Sequence, residues 1–262
     1  MAAERLNYGV ITLESAATSS LSKGETLADT VLNVVAMKPD ALIVRYGIDE
    51  ELDRLLPTLP LPVFSAGAGS RSHPTQALLD AFTIHRERGS LSGLRVLIVG
   101  DIRHSRVASS NFDVLSKLGA QIGICGPAPL LPDIANLPAT TRVFQNLDEA
   151  CEWCDVYMGL RVQLERHDDK QTDKRNKKLT DKPNGANISD AYAAEFGLNR
   201  ARLQMLKKNA IIMHPGPINH GVEFSVDATT DPRNRVLQQV TNGVLIRAAL
   251  LRQAFGQTLE DE

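Results

Sequence analysis

The sequence predicts an α/β protein of two lobes, each a mostly parallel sheet flanked by helices, with the lobes joined by interlobe helices. Three observations lead there. Short apolar runs alternate with helix-period segments along the chain, the pattern of strand–helix–strand units. A break at Gly89-Ser90-Leu91-Ser92-Gly93 divides that alternation into a first and a second block. Charged and polar groups then collect just after the predicted strands, where open α/β sheets bind ligands.

Taken in order, the strands are expected at residues 9–13, 41–45, 63–65, 95–99, 121–125, 156–159 and 210–213, each a short apolar run. Helices are expected at 26–37, 49–56, 75–88, 106–118, 147–153, 191–196, 200–207 and 234–255. The helix at 75–88 has the clearest start. Pro74 suits a first helical turn, where a backbone N–H would lack a partner anyway, and Leu78, Leu79, Phe82 and Ile84 follow at roughly helical spacing. This helix joins the two blocks, and the cleft between them is the expected site.

A chain of 262 residues fits one large domain or two smaller ones, and either can bury a core. Its 43% hydrophobic and 23% charged content is that of a globular protein, and its net charge of −2 offers no general attraction to nucleic acid or to an anionic membrane. No apolar run reaches the roughly 18–20 residues of a membrane span, and no signal-peptide pattern is read, so the cytoplasm is the expected compartment. The cysteines Cys125, Cys151 and Cys154 cannot all pair. Cys151 and Cys154 have CxxC spacing but no second ligand pair, which favours reduced, partly buried thiols over a zinc or redox site.

The chemistry centres on His73-Pro74-Thr75-Gln76. His73 and Gln76 lie about one turn apart at a helix N-terminus, a place suited to polarising a carbonyl and holding an anion. The preceding loop, Ser65-Ala66-Gly67-Ala68-Gly69-Ser70, is small enough for a ligand to approach the backbone. Alone, the His-Pro pair fits an ordinary helix start equally well. Arg45 ends a predicted strand, and Arg106, Arg161 with Gln163, and His214-Pro215-Gly216-Pro217 each follow one. One such arginine is usually a surface partner; several after successive strands predict a site for small, multiply anionic substrates, which guanidinium forks match in shape and charge. No nucleophile elbow, metal-ligand spacing or GxGxxG turn appears, which leaves direct transfer between two bound substrates by positioning and charge stabilisation. The polar stretch 166–182 reads as a solvated surface loop or as a lid that orders over substrate.

Together, Ser22-Lys23-Gly24-Glu25-Thr26-Leu27, His73-Pro74-Thr75-Gln76, Gly100-Asp101-Ile102-Arg103-His104-Ser105-Arg106, Arg161-Val162-Gln163 with Glu165-Arg166, and His214-Pro215-Gly216-Pro217 resemble the aspartate carbamoyltransferase catalytic chains. They occur in that family's order across essentially the whole sequence. The resemblance implies a cytosolic, trimer-forming transferase that condenses carbamoyl phosphate with L-aspartate in pyrimidine synthesis, without a metal or organic cofactor. It implies that Arg45 contacts the leaving phosphate, His73 the carbamoyl oxygen and Gln76 the carbamoyl amide. Pro215 and Gly216 fall on the carbamoyl-phosphate side. Arg106 and Arg161 would clamp the aspartate carboxylates, with Gln163 near the amine. Ser19 and Lys23 match a loop that reaches into the neighbouring subunit's site. The carbamoyl-phosphate lobe would span 1–75, completed by the helix 236–258; 76–89 would be the interlobe helix and 90–235 the aspartate lobe. Larger assemblies with regulatory or dihydroorotase chains are compatible with it.

The departures are specific. The family's Ser-Thr-Arg-Thr-Arg phosphate turn is not in this sequence, and Met1–Leu6 resembles the end of the helix that follows it. Removing one donor of this type typically costs about 3–4 kcal/mol of transition-state stabilisation. Tyr46 replaces a usual His, Ser65 and Ala68 stand for Asn and Asp, and His220 for a frequent Arg. Two alternatives follow: a truncated, catalytically silent homologue that serves as an assembly subunit, and, less favoured, an ornithine carbamoyltransferase, whose cysteine loop is absent.

Overall fold

The computed structural model describes residues 1–13, 26–69, 71–162 and 188–257, and contains two parallel sheets. A short helix, α1 (Ala2–Arg5), precedes α2 (Leu27–Ala36), β1 (Leu42–Tyr46), α3 (Glu50–Leu55) and β2 (Val63–Ala68). β1 and β2 form the first sheet, with Leu42 opposite Val63 and Tyr46 opposite Ala68. The long helix α4 (Pro74–Arg88) then leads to β3 (Arg95–Val99), α5 (Arg106–Lys117), β4 (Gln121–Cys125), β5 (Arg142–Phe144), α6 (Leu147–Trp153) and β6 (Val156–Gly159). After these come α7 (Ile188–Phe196), α8 (Arg200–Met205), β7 (Ile211–Met213), α9 (Val226–Thr230) and α10 (Val236–Ala254). The second sheet runs β5-β4-β3-β6-β7, all parallel.

Side chains alternate across a strand, so β3 feeds two cores. Val96 and Ile98 face α4 and α5, against Ile84, Ala108, Phe112 and Leu115. Leu97 and Val99 face the other way, against Tyr157, Phe196, Ile212 and Phe224. A sheet covered on both faces needs apolar residues on both, which is why its strands read as unbroken hydrophobic runs. Local side chains start the helices: Thr26 and Asp29 form a capping box on α2, and Asp49, Ser105, Asn146, Asn199 and Ser225 cap α3, α5, α6, α8 and α9. The last helix, α10, returns to α4. Asn242 donates to the Thr83 hydroxyl (2.9 Å) and accepts from Arg86 (2.9 Å), and Tyr8 closes on Phe255 edge-on.

The expected strand at 9–13 is not formed. These residues are exposed and unassigned to either sheet, with Ile11 90% accessible; a short apolar run alone does not make a strand without a paired neighbour. The strand at 142–144 and the helix at 226–230 were not expected, being short and, in the helix, rich in β-branched residues. Cys125, Cys151 and Cys154 are buried free thiols, and burial pushes the Cys125 thiol up to about 11. Among the described residues, no helix is long and apolar enough to cross a membrane.

Candidate active site

The C-terminal end of the first sheet meets the second sheet where α4 and α5 begin. Arg45, on an exposed position of β1, stands at that end. Near its end β2 carries Gly67 (φ +124°), where a Cβ would lie 3.0 Å from the Arg106 guanidinium. At this φ a side chain would be strained, and it would crowd the guanidinium as well. Arg106, the first residue of α5, thus reaches from the second block onto the first sheet's exit, with Nη1 3.4 Å from the Gly69 carbonyl. From the same helix Ser110 accepts the His73 backbone N–H (2.8 Å) and so fixes the start of α4.

His73 is half-buried, and its Nδ1 is enclosed without a hydrogen-bond partner among the described residues. Burial first, then the charges of Arg106, Arg247 and Arg45, push its pKa down to about 4. The ring is therefore neutral near pH 7, able to donate one N–H without acting as a charged acid. Gln76, one turn on, donates Nε2–H to Asp80 (3.0 Å). Asp80 is fully buried and also accepts from Asn111 of α5 (2.9 Å) and Gln239 of α10 (2.8 Å). Its burial raises the carboxyl to about 6 against the pull of those amides.

On the second sheet β3, β6 and β7 are neighbours, so the segments after them emerge side by side. Arg161 follows β6, and the residue beside it is clamped twice. Val162 donates its N–H to the buried Glu223 (2.8 Å), and its carbonyl accepts from Asn219 (3.1 Å), which itself donates to Glu223 (2.8 Å). His214 follows β7. Its Nδ1 accepts the Gly216 N–H (2.9 Å), which puts the ring proton on Nε2 and closes the Pro215–Gly216 turn. Burial pushes its pKa to about 3, and its backbone N–H donates to Gln239 (2.9 Å), the glutamine that also holds Asp80.

Arg45, His73, Gln76 and Arg106 are thus brought to one junction, and the Pro215–Gly216 turn is tied to it through Gln239 and Asp80. Arg161 lies at the end of β6, in the strand between those leading to Arg106 and His214. Ser19, Lys23, Gln163 and the stretch 166–182 lie outside the described residues. Tyr46 points away from Arg45, donating to Asp53 (2.8 Å). His220 is exposed. Sequence reasoning passed over Asp80, Ser110, Asn111, Glu223, Gln239 and Arg247. Only Asp80 carried a signal: a carboxylate four residues after Gln76, on the same helix face as the buried Ala77, Ala81 and Ile84.

Two family descriptions match nearly the full chain: aspartate/ornithine carbamoyltransferase, carbamoyl-P binding domain, over residues 1–86, and aspartate/ornithine carbamoyltransferase, Asp/Orn binding domain, over residues 92–254. The aspartate carbamoyltransferase catalytic subunit of Solibacter usitatus is 42% identical over 257 residues, covering 98% of this chain and 80% of that protein. The Prosthecochloris aestuarii subunit is 44% identical over 253 residues, covering 94% and 76%. The aspartate transcarbamoylase of Trypanosoma cruzi in complex with carbamoyl phosphate superposes with a TM-score of 0.77 at 30% identity, covering 95% of this chain and 76% of that one. The same enzyme with N-(phosphonacetyl)-L-aspartic acid gives 0.76 at 30% identity, over the same shares. Matched in this way over nearly its whole length, the chain belongs to the aspartate/ornithine carbamoyltransferase family.

Proposed function

We propose that this chain transfers the carbamoyl group of carbamoyl phosphate to the amino group of L-aspartate, giving N-carbamoyl-L-aspartate and phosphate for pyrimidine synthesis in the cytoplasm. The amine lone pair of aspartate attacks the carbonyl carbon and forms the C–N bond. The C–O bond to phosphorus-bound oxygen then breaks, its electron pair leaves with phosphate, and the amine gives up a proton. His73 donates its N–H to the carbonyl oxygen as charge builds there, and Arg45 meets the departing phosphate. Gln76 and the Pro215–Gly216 turn hold the carbamoyl amide. Arg106 and Arg161 take the two carboxylates of aspartate, with Gln163 and Lys23 beside them. The observation that carries this reading is a histidine held neutral among guanidinium groups: it polarises a carbonyl while the arginines hold anions.

In the same reading the chain works as a homotrimer, with Ser19 and Lys23 completing a neighbour's site, and it can join regulatory or dihydroorotase chains. The test is formation of labelled carbamoyl-aspartate from radiolabelled carbamoyl phosphate, with L-ornithine as the competing acceptor and light scattering for the assembly. Turnover confined to aspartate, in a particle of three chains, is expected; citrulline formation or a turning-over monomer would overturn it. A second reading, a silent assembly subunit, draws on Tyr46, Ser65, Ala68 and His220. It requires a trimer that binds a bisubstrate analogue yet makes no product.

A further inference from the structure

We propose that Asp80 is a positioning residue that fixes which end of the Gln76 amide faces the acyl donor, and thereby selects a carbamoyl group over an acetyl group. The inference rests on the carbamoyl-transfer reading above and adds a specificity device to it. Asp80 has no solvent exposure, so its orientation is set entirely by what surrounds it.

Two of its partners are oriented independently of it. Gln239 accepts the His214 backbone N–H through Oε1, which leaves only its Nε2–H for Asp80. Asn111 Nδ2 sits between Asp80 Oδ2 and the Val107 carbonyl, both acceptors. Both carboxylate oxygens therefore act as acceptors, and only the N–H end of Gln76 can lie 3.0 Å from Oδ1. The two polar ends of an amide diverge from one carbon, so Gln76 Oε1 is directed away from Asp80, at the first turn of α4 beside His73. That oxygen accepts. A carbamoyl NH2 has a hydrogen to give it, whereas the methyl group of an acetyl donor has none. Gln239 and Asn111 are each held by a backbone group as well, so the amide free to turn when Asp80 is altered is Gln76.

Replacing the carboxylate by its amide puts one donor among three donors. Gln76 then turns over, presents N–H to the site and loses the preference. A binding pair that needs no turnover reads this directly: phosphonoacetamide against 2-oxopropylphosphonate, which differ by NH2 for CH3. The unaltered chain should bind the amide on the order of 10-fold or more tightly over the ketone by calorimetry, the size expected when a built hydrogen bond is left unmade. Asp80→Asn should bring that ratio close to that of Gln76→Leu, and the double variant should add nothing. A ratio unchanged in Asp80→Asn, or equal weakening of both ligands, would overturn the proposal. Should Asp80→Asn not fold, the unaltered protein still decides. The 15N-labelled side-chain NH2 of Gln76, identified by its disappearance in Gln76→Leu, should keep its shift when phosphonoacetamide binds, because it stays on Asp80; a large shift overturns the orientation. Failure to bind either phosphonate removes the carbamoyl-transfer reading itself, and the specificity claim with it.

Discussion

In β1 every second residue faces water, whereas in β6 none does. Ile43 of β1 is 63% exposed and Ile98 of β3 is fully enclosed, although both sit mid-strand in runs that read alike. Among the described residues the first sheet has two strands and the second has five, covered by helices on both faces. The difference bears on the chemistry. Arg106, Arg161 and His214 leave a sheet whose positions are set by packing on both sides. Arg45 leaves a sheet packed on one. The second sheet supplies fixed geometry, and α4, with Asp80 buried at its middle, carries that geometry across to His73 and Gln76.

The largest effect expected from this contrast is on stability. Ile98→Ala removes methyl and methylene groups from a closed core and should cost about 2–5 kcal/mol. Ile43→Ala should stay within about 0.5 kcal/mol, as exposed substitutions usually do. Urea unfolding of both variants measures this. Equal losses would break the comparison and mean that the β1 face is covered in the assembled protein.

Next in size is the split between substrates. Arg161→Ala should lower kcat/KM for aspartate about 100-fold, the order expected when a charge-assisted pair is lost, with little change in carbamoyl phosphate binding. Arg45→Ala should do the reverse. Initial-rate kinetics with each substrate varied in turn would show it, and an equal loss of both in either variant would contradict the assigned roles.

A smaller loss, about 10-fold in kcat/KM for aspartate, is expected from Glu223→Gln. Gln keeps the size but turns one acceptor oxygen into a donor facing the Val162 or Asn219 N–H groups. Arg161 then loses its fixed neighbour while keeping its charge. If the loss falls equally on carbamoyl phosphate, the clamp serves the fold at large and not the aspartate arm.

Much of this was legible because the second sheet obeys simple rules. The spans 95–99, 121–125, 147–153 and 156–159 come out in the structure as expected, since unbroken apolar runs and a polar cap leave few alternatives. The span 9–13 failed for the opposite reason: Gly9–Leu13 is a short apolar run, but a strand is made by its neighbour. The arginines could be singled out because strand ends are where ligands bind, and His73 because it opens a helix beside Pro74. The Asp80–Gln239 link could not. Its partners are 159 residues apart, and a glutamine on a helix carries no mark of what it will meet. The same holds for Glu223, whose burial depends on the Val162 segment arriving beside it.

The smallest effect concerns acid, and it sets the two buried histidines against Asp80. His73 and His214 are held down, to about 4 and about 3, mainly by burial. Their unfolded forms take up protons near pH 6.5 while the folded forms do not, so stability is fully present above that value and falls as pH drops below it. Asp80 has the opposite sign. Its carboxyl is raised to about 6, so between about pH 6.5 and 5 the folded protein gains a proton that the unfolded chain does not yet bind. Among these three groups the balance over that interval is two protons taken by the unfolded chain against one by the folded. Urea midpoints should therefore decline gently from pH 7 to 5. Replacing His214 with Asn leaves one proton on each side, and the decline should flatten. Asp80→Asn removes the opposing group, and the decline should steepen. A His214→Asn variant whose midpoint falls as fast as that of the unaltered chain would mean that its imidazole, and the Gln239 link beside it, is open to water.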